Sequence, residues 1–286
     1  GATVIDDGTL RVSDSASLGT SNTVNINGGA FRFSVSTSDE GEGASVVLGS
    51  SGGTFEADGG VTTTFNGVVS GPGSLTKTGA GTIVLTGEST YEGATAVNAG
   101  RLTVSGGLAD TTAMTVSSGA TYALGADDAI GSIAGAGNVE LSSYGLTAGG
   151  DNSSTSFSGV MSGTGSLSKA GSGTMTLSGA NTYTGATNVN AGTLTVSGSL
   201  ADTTAMTVSS GATYALGADD AIGSVAGAGN VELSSYGLTA GGDNSSTSFS
   251  GVMSGTGSLS KAGSGTMTLS GANTYTGATN VNAGTL

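Results

Sequence analysis

Lys77, Lys169 and Lys261 recur every 92 residues, each closing a short Leu-Thr or Leu-Ser step just before a glycine turn. A row of ammonium groups at constant spacing could receive an anionic glycan. Lys169 also shares the parity of Leu167, so a continuing strand would aim it at the core. The expectation is that the strand ends there, the stem packs on apolar neighbours and the ammonium reaches water at a corner. Tyr91, Tyr183 and Tyr275, with Tyr122, Tyr214, Tyr144 and Tyr236, could stack on sugar rings. The structural alternative is that they fill corners with one polar edge wet.

The carboxylates that recur between copies are Asp110 with Asp202, Asp127 and Asp128 with Asp219 and Asp220, Glu140 with Glu232, and Asp151 with Asp243. A calcium site needs about six to eight oxygen ligands at closely set positions, and the G-G-x-G-x-D nonapeptide that supplies them in calcium-binding β-rolls is absent. The acidic run Asp39, Glu40 and Glu42 reads as a solvated loop, and Asn152-Ser153-Ser154 fits a glycosylation acceptor. Catalysis has little to draw on: serines are plentiful, but there is no histidine to act as base and no cysteine. Duplicated copies also argue against one tuned site. The reading assigns no catalytic, cofactor-binding or metal residue, no cofactor and no enzymatic activity.

The elements that must position these residues follow from composition. Glycine contributes 55 of 286 residues, proline one, and charged residues only 9%, against roughly 7% glycine and 25% charge in an average soluble domain. Disorder is disfavoured because 36% of residues are hydrophobic and regularly spaced. Collagen is excluded because glycine does not fall at every third position. The net charge of −14 leaves no surface that could neutralise a run of phosphates, so nucleic acid is not an expected partner. No apolar run approaches the ~20 residues of a spanning helix.

A fixed long period overrides the prior that length alone would give. Ser162 to Leu194 returns unchanged as Ser254 to Leu286 and, altered, as Ser70 to Leu102. After the first nine residues the chain holds three 92-residue units, 10–101, 102–193 and 194–285; the first is diverged, and the other two differ only at Gly107/Ser199 and Ile133/Val225. The chain starts and stops at the same point of the repeat, which reads as one continuous excerpt, residues 1–286, of a longer array. Within a unit the period is two: Met175 and Leu177 share one face and Thr174, Thr176 and Ser178 the other. Glycine, Ser-Gly, Asn and Asp turns end each short strand. The pattern predicts an all-β parallel solenoid with three strands per coil and about 23 residues per coil. Asn181, Asn188 and Asn190, repeated as Asn273, Asn280 and Asn282, fall at or beside corners, where side-chain amides could satisfy turn carbonyls and N–H groups. Leu10, Leu102, Leu194 and Leu286 are expected in one column along the axis.

The run G-S-L-S-K-A-G-S-G-T-M-T-L-S-G-A-N-T-Y-T-G-A-T-N-V-N-A-G-T-L within Ser162 to Leu194 resembles the passenger-associated transport repeat of bacterial autotransporters. The likeness covers about a third of each unit. The first copy departs from it at Glu88, Ser89 and Arg101. The resemblance implies a right-handed parallel β-helix, export by a signal peptide and a C-terminal β-barrel translocator lying outside this sequence, and display on the cell surface of a Gram-negative bacterium. It further implies an adhesin-like role: a stalk that projects from the outer membrane and takes part in cell–cell or biofilm attachment, with homotypic association or host glycans as partners. Two alternatives stand beside it: a matrix fibre of laterally packed solenoids, and an ice-binding solenoid that would need Thr-x-Thr on every coil.

Overall fold

The computed structural model describes residues 2–12, 23–40 and 45–286. Among them every regular element is a strand, most of three or four residues, and every registered strand pair is parallel. No helix among the described residues is long and apolar enough to cross a membrane. Parallel pairing of strands about one coil apart in sequence makes a β-solenoid, with the inward position of most strands buried and the outward one at least partly wet, as in the buried Leu194 and Val196 beside Thr193 and Thr195. The chain forms two compact units, Gly1–Tyr144 and Gly145–Leu286.

In the first unit, paired residues are separated by 24 positions at Ala30↔Thr54 and by 17 at Thr121↔Asn138. In the second they range from 22 at Asn230↔Val252 to 17 at Thr213↔Asn230. The mean is about 20 residues per turn, shorter than the expected 23. Short coils arise because one side often has no strand: residues 105–112 turn through Leu108 without one, and residues 197–204 turn through Leu200 with only the single bridge of Ser199 to Ala180.

This shortening breaks the expected leucine column. In the first unit Leu10 stacks in the column Leu10–Phe31–Phe55–Lys77–Val97–Val116, whereas Leu102 belongs to Thr63–Ile83–Leu102–Tyr122–Val139 on another sheet. In the second unit Leu194 stacks between Met175 and Tyr214. Leu286 instead follows Thr285, whose bridge to Thr266 joins it to the strand Met267–Leu269 of a different sheet. Counting coils explains the mismatch. Five registered steps carry Leu167 to Met267, 100 residues on. Its copy 92 residues on, Leu259, lies one sheet earlier, stacked between Leu238 and Thr279. A repeat therefore advances about four and two-thirds coils, and equal positions in successive copies face different ways.

The first unit centres on Phe31, Phe33, Phe55 and Phe65, with ring centroids 4.5 to 6.1 Å apart. The second unit packs Leu, Val and Met with Phe157 and Phe249. Coils approach so closely that some corners admit only glycine: a Cβ on Gly251 would lie 1.7 Å from the carbonyl oxygen of Gly229. Asp39 and Glu40, expected in a loop, belong to the strand Thr37–Glu40, while Glu42 lies outside the described residues.

Candidate functional site

The residues with chemical potential are drawn into the core or onto neighbouring corners. The strand Leu167–Lys169 does end at the lysine, but the ammonium does not reach water: Lys77, Lys169 and Lys261 are each at most 1% exposed. Lys169 Nζ donates to the carbonyls of Ala170 at 2.5 Å, Gly171 at 2.9 Å and, one coil on, Ala191 at 3.2 Å. Lys77 does the same to Thr78 at 2.7 Å, Gly79 at 2.9 Å and Ala99 at 3.1 Å. Lys261 donates to Ala262, to Gly263 at 3.0 Å and to Ala283 at 3.5 Å. The glycine after each lysine has positive φ, +63° at Gly171, and this turns the two local carbonyls toward the same point. Burial pushes the Lys77 ammonium down to about 8, with Glu56 pulling the other way. Burial lowers Lys169 as well, opposed by Asp151. The basic row is therefore a set of internal staples, closed to an anionic glycan in the folded chain.

The tyrosines follow suit. Tyr91, Tyr122, Tyr183 and Tyr214 are fully buried, with no wet edge and no exposed ring face. Tyr122 donates its phenol to Asp128 Oδ2 at 2.5 Å, and Asp128 Oδ1 accepts the N–H groups of Leu108 and Ala129, both at 3.0 Å. The next copy repeats this: Tyr214 to Asp220 at 2.7 Å and Leu200 N–H to Asp220 at 3.1 Å. One carboxylate thus fixes both a core tyrosine and the strandless side at Leu108 or Leu200. Burial raises both carboxyls, partly offset by their tyrosine and backbone donors, with Asp110 and Asp202 adding a further upward push. Burial and the adjacent carboxylate hold both phenols well above the usual tyrosine range. Tyr183 instead pairs with Thr187 at 2.6 Å, and Tyr91 with Thr95. Burial raises these two phenols as well. Tyr144, Tyr236 and Tyr275 are half-buried.

Among the corner amides, Asn181 bridges three backbone groups. Its Oδ1 accepts Met161 N–H at 3.0 Å, and its Nδ2 donates to Gly179 at 3.0 Å and Ser199 at 3.2 Å. Asn273 repeats two of these bonds, from Met253 N–H at 2.8 Å and to Gly271 at 3.2 Å. The diverged copy has Ser89 there, and its buried hydroxyl finds no partner. Asn188 faces outward on its strand and Asn190 is exposed.

The remaining carboxylates work at the surface. Asp151 accepts Ser153 N–H at 2.8 Å, which shapes the corner where Asn152 takes φ 62°. The Asn152 side-chain Oδ1 accepts Ser172 N–H at 2.8 Å, so this acceptor-like tripeptide is an exposed corner tied to the next coil. Asp243 accepts Ser245 N–H at 2.9 Å and Ser224 Oγ at 2.6 Å. Asp219 accepts Gly237 N–H at 2.8 Å, and Asp110 and Asp202 are exposed. Glu140 meets Arg101 at 2.7 Å, and that bond holds its carboxyl below the ordinary value. Glu232 has Thr193 where its copy has Arg101. Among the described residues no three His, Cys, Asp or Glu side chains group as metal ligands. The Thr-x-Thr rows of Thr174/Thr176 and Thr193/Thr195 stack in register, but the next coils place Thr213/Ala215 and Asn230/Glu232 in line. The regular threonine surface thus stops after two coils.

Parity and turn residues foresaw the corner role of Asn181. They missed the carboxylate–phenol pair, for which the repeated Tyr-x5-Asp spacing at Tyr122/Asp128 and Tyr214/Asp220 was the available signal. Tyr-x3-Thr at Tyr91/Thr95 and Tyr183/Thr187 signalled the other pair.

The passenger-associated transport repeat model matches residues 75–104, 167–196 and 259–286, the segments that carry the lysine staples and the corner amide. The chain is 37% identical over 178 residues, 57% of its length, to an adhesin autotransporter named BmaC from Brucella suis biovar 1 (strain 1330). It spans only 5% of that relative. No solved structure matches. The matched repeats and the adhesin relative support an autotransporter passenger domain.

Proposed function

We propose that this chain is a non-enzymatic scaffold segment of a secreted, surface-exposed adhesin, a stalk that holds binding regions of the same passenger away from a Gram-negative outer membrane. The observation that carries this reading is where the repeated polar groups direct their bonds. Lys169, Asn181, Tyr214 and Asp220 all bond to backbone or side chains of their own or an adjacent coil. Residues kept for ligand recognition present their donors and acceptors outward; these are consumed internally. Similarity to an adhesin autotransporter supplies the surface context. Each coil offers the next a finished ladder and finished corners, so folding outside the cell would proceed by addition of coils, without ATP.

A competition assay tests the scaffold reading. Cells displaying the full passenger are allowed to attach to a surface or to one another in the presence of excess purified 286-residue chain. A scaffold leaves attachment unchanged. Dose-dependent inhibition by the soluble chain means that the solenoid itself is the sticky part, and the stalk reading fails.

A further inference from the structure

The lysine staples have a property that stability alone does not explain, since a buried ammonium can often be replaced by a well-packed apolar side chain without loss. In its column Lys169 is stacked between Ala148 and Val189, and beyond Val189 lies Val208. Lys261 likewise follows Ala240 and precedes Val281. Each is one charged group in an otherwise apolar column, and its three acceptors occur together at one place: the two carbonyls of its own turn and one from the coil 22 residues on. The small Ala148 and Ala240 on the preceding coil leave room for the stem.

A solenoid of short, similar strands has a register problem. The outer ladders read Ser, Thr and Asn on coil after coil, as in Thr147–Ser168–Asn188–Thr207, and the inner columns are mostly small or aliphatic, as in Leu146–Leu167–Thr187–Met206. Neither tells one coil sharply from the next. A two-residue slip along a strand preserves the inward/outward pattern and costs little in side-chain burial.

We infer that Lys77, Lys169 and Lys261 are register pins: buried charges that carry the two carbonyls of their own turn in any register but gain the third acceptor, from the coil after, only when that coil pairs in the native register. A slipped strand leaves the buried ammonium without the acceptor from the next coil, so slipped pairings are disfavoured against the native one. The four-and-two-thirds-coil advance of the repeat extends the check. In the second unit Lys169 pins the sheet of residues 146–148, 167–169 and 187–189, and Lys261 pins the sheet of residues 238–240, 259–261 and 279–281. One lysine per repeat therefore tests different sheets in turn.

The experiment is refolding of the full chain from urea, comparing the parent with Lys169→Met/Lys261→Met and Lys169→Gln/Lys261→Gln, followed by circular dichroism and by hydrogen exchange read by mass spectrometry. Methionine keeps the volume and removes the donors; glutamine keeps two N–H donors without charge. The expected result is that the methionine variant has a urea midpoint equal to or above the parent's, yet refolds with an added slow phase and gives more than one exchange population over residues 146–189. Glutamine restores part of the uniformity. Single-phase refolding of the methionine variant to one parental exchange pattern overturns the inference. So does a methionine variant that fails to fold while the glutamine variant folds uniformly with a lowered midpoint, since the lysines would then supply stability and not register.

Discussion

The internal repeat provides its own mutational control at position 89. Asn181 spans three backbone groups from a buried corner, whereas Ser89, the matching residue of the diverged copy, is buried with an unpartnered hydroxyl. The surrounding frame is conserved in geometry: Ser89 N–H donates to Gly107 at 3.0 Å, as Asn181 N–H donates to Ser199 at 2.9 Å. Ser89→Asn therefore finds Val69 N–H, Gly87 C=O and Gly107 C=O at the places that Asn181 uses at Met161, Gly179 and Ser199. Two or three new bonds at about 0.5–1.5 kcal/mol each, plus relief of an orphan hydroxyl, oppose about 1 kcal/mol of side-chain ordering. The net expectation is a gain of about 1–3 kcal/mol. The reverse change, Asn181→Ser, removes the side-chain bonds and leaves the buried Met161 N–H without its acceptor, while the Gly179 and Ser199 carbonyls keep backbone donors, at a cost of about 1–3 kcal/mol. Urea unfolding followed by circular dichroism gives both values, and hydrogen exchange at residues 87–90 and 107 tests whether the gain is local. A Ser89→Asn chain that is no more stable than the parent, or Asn181→Ser that is neutral, refutes the reasoning that corner amides hold coils together.

Other consequences are independent of that site. Thr63→Val, which removes a buried hydroxyl without a partner, should raise stability by about 1–2 kcal/mol in the same urea assay. Tyr122→Phe withdraws a phenol donor from the buried Asp128 carboxylate and should cost about 1.5–3 kcal/mol, with Tyr214→Phe matching it at Asp220. Gly251→Ala forces a methyl group against the Gly229 carbonyl and should lower stability by about 1–3 kcal/mol or more, measured as a drop in the urea midpoint. The pH dependence has a definite sign. Tyr91, Tyr122, Tyr183 and Tyr214 all keep their protons to higher pH in the folded chain than in the unfolded one. Stability should be unaffected by them below pH about 10 and fall as the pH rises beyond it, with phenolate absorbance appearing together with unfolding.

How much of this was legible beforehand depends on the length scale of the signal. Strand parity in T-M-T-L-S-G is a two-residue pattern, and Met175 and Leu177 are buried as it requires. Coil length is set by sides that form no strand, such as residues 105–112, where Leu108 reaches the core and Asp128 anchors it from 20 residues away. Nothing in the local pattern around Leu108 announces that anchor, so the coil was expected to be longer and Leu10 and Leu102 were expected to share a column. Lys169 shows the other limit. Parity placed it inward and general experience with exposed ammonium groups placed it in water; parity prevailed because Gly171 turns two carbonyls toward the ammonium and the next coil adds a third. The burial of Tyr122 depended on a carboxylate six residues on, a pairing visible only as a spacing shared by two copies.

The inward orientation of the repeated polar groups is tested most directly at the lysines, because Lys77, Lys169 and Lys261 are the only lysines in the chain. Brief acetylation of the native protein with a water-soluble amine reagent, followed by peptide mass spectrometry, reads their exposure one by one. With the ammonium groups held inward, all three remain unmodified in buffer and react fully once urea unfolds the chain. Acetylation of the native lysines at the unfolded rate would contradict that orientation.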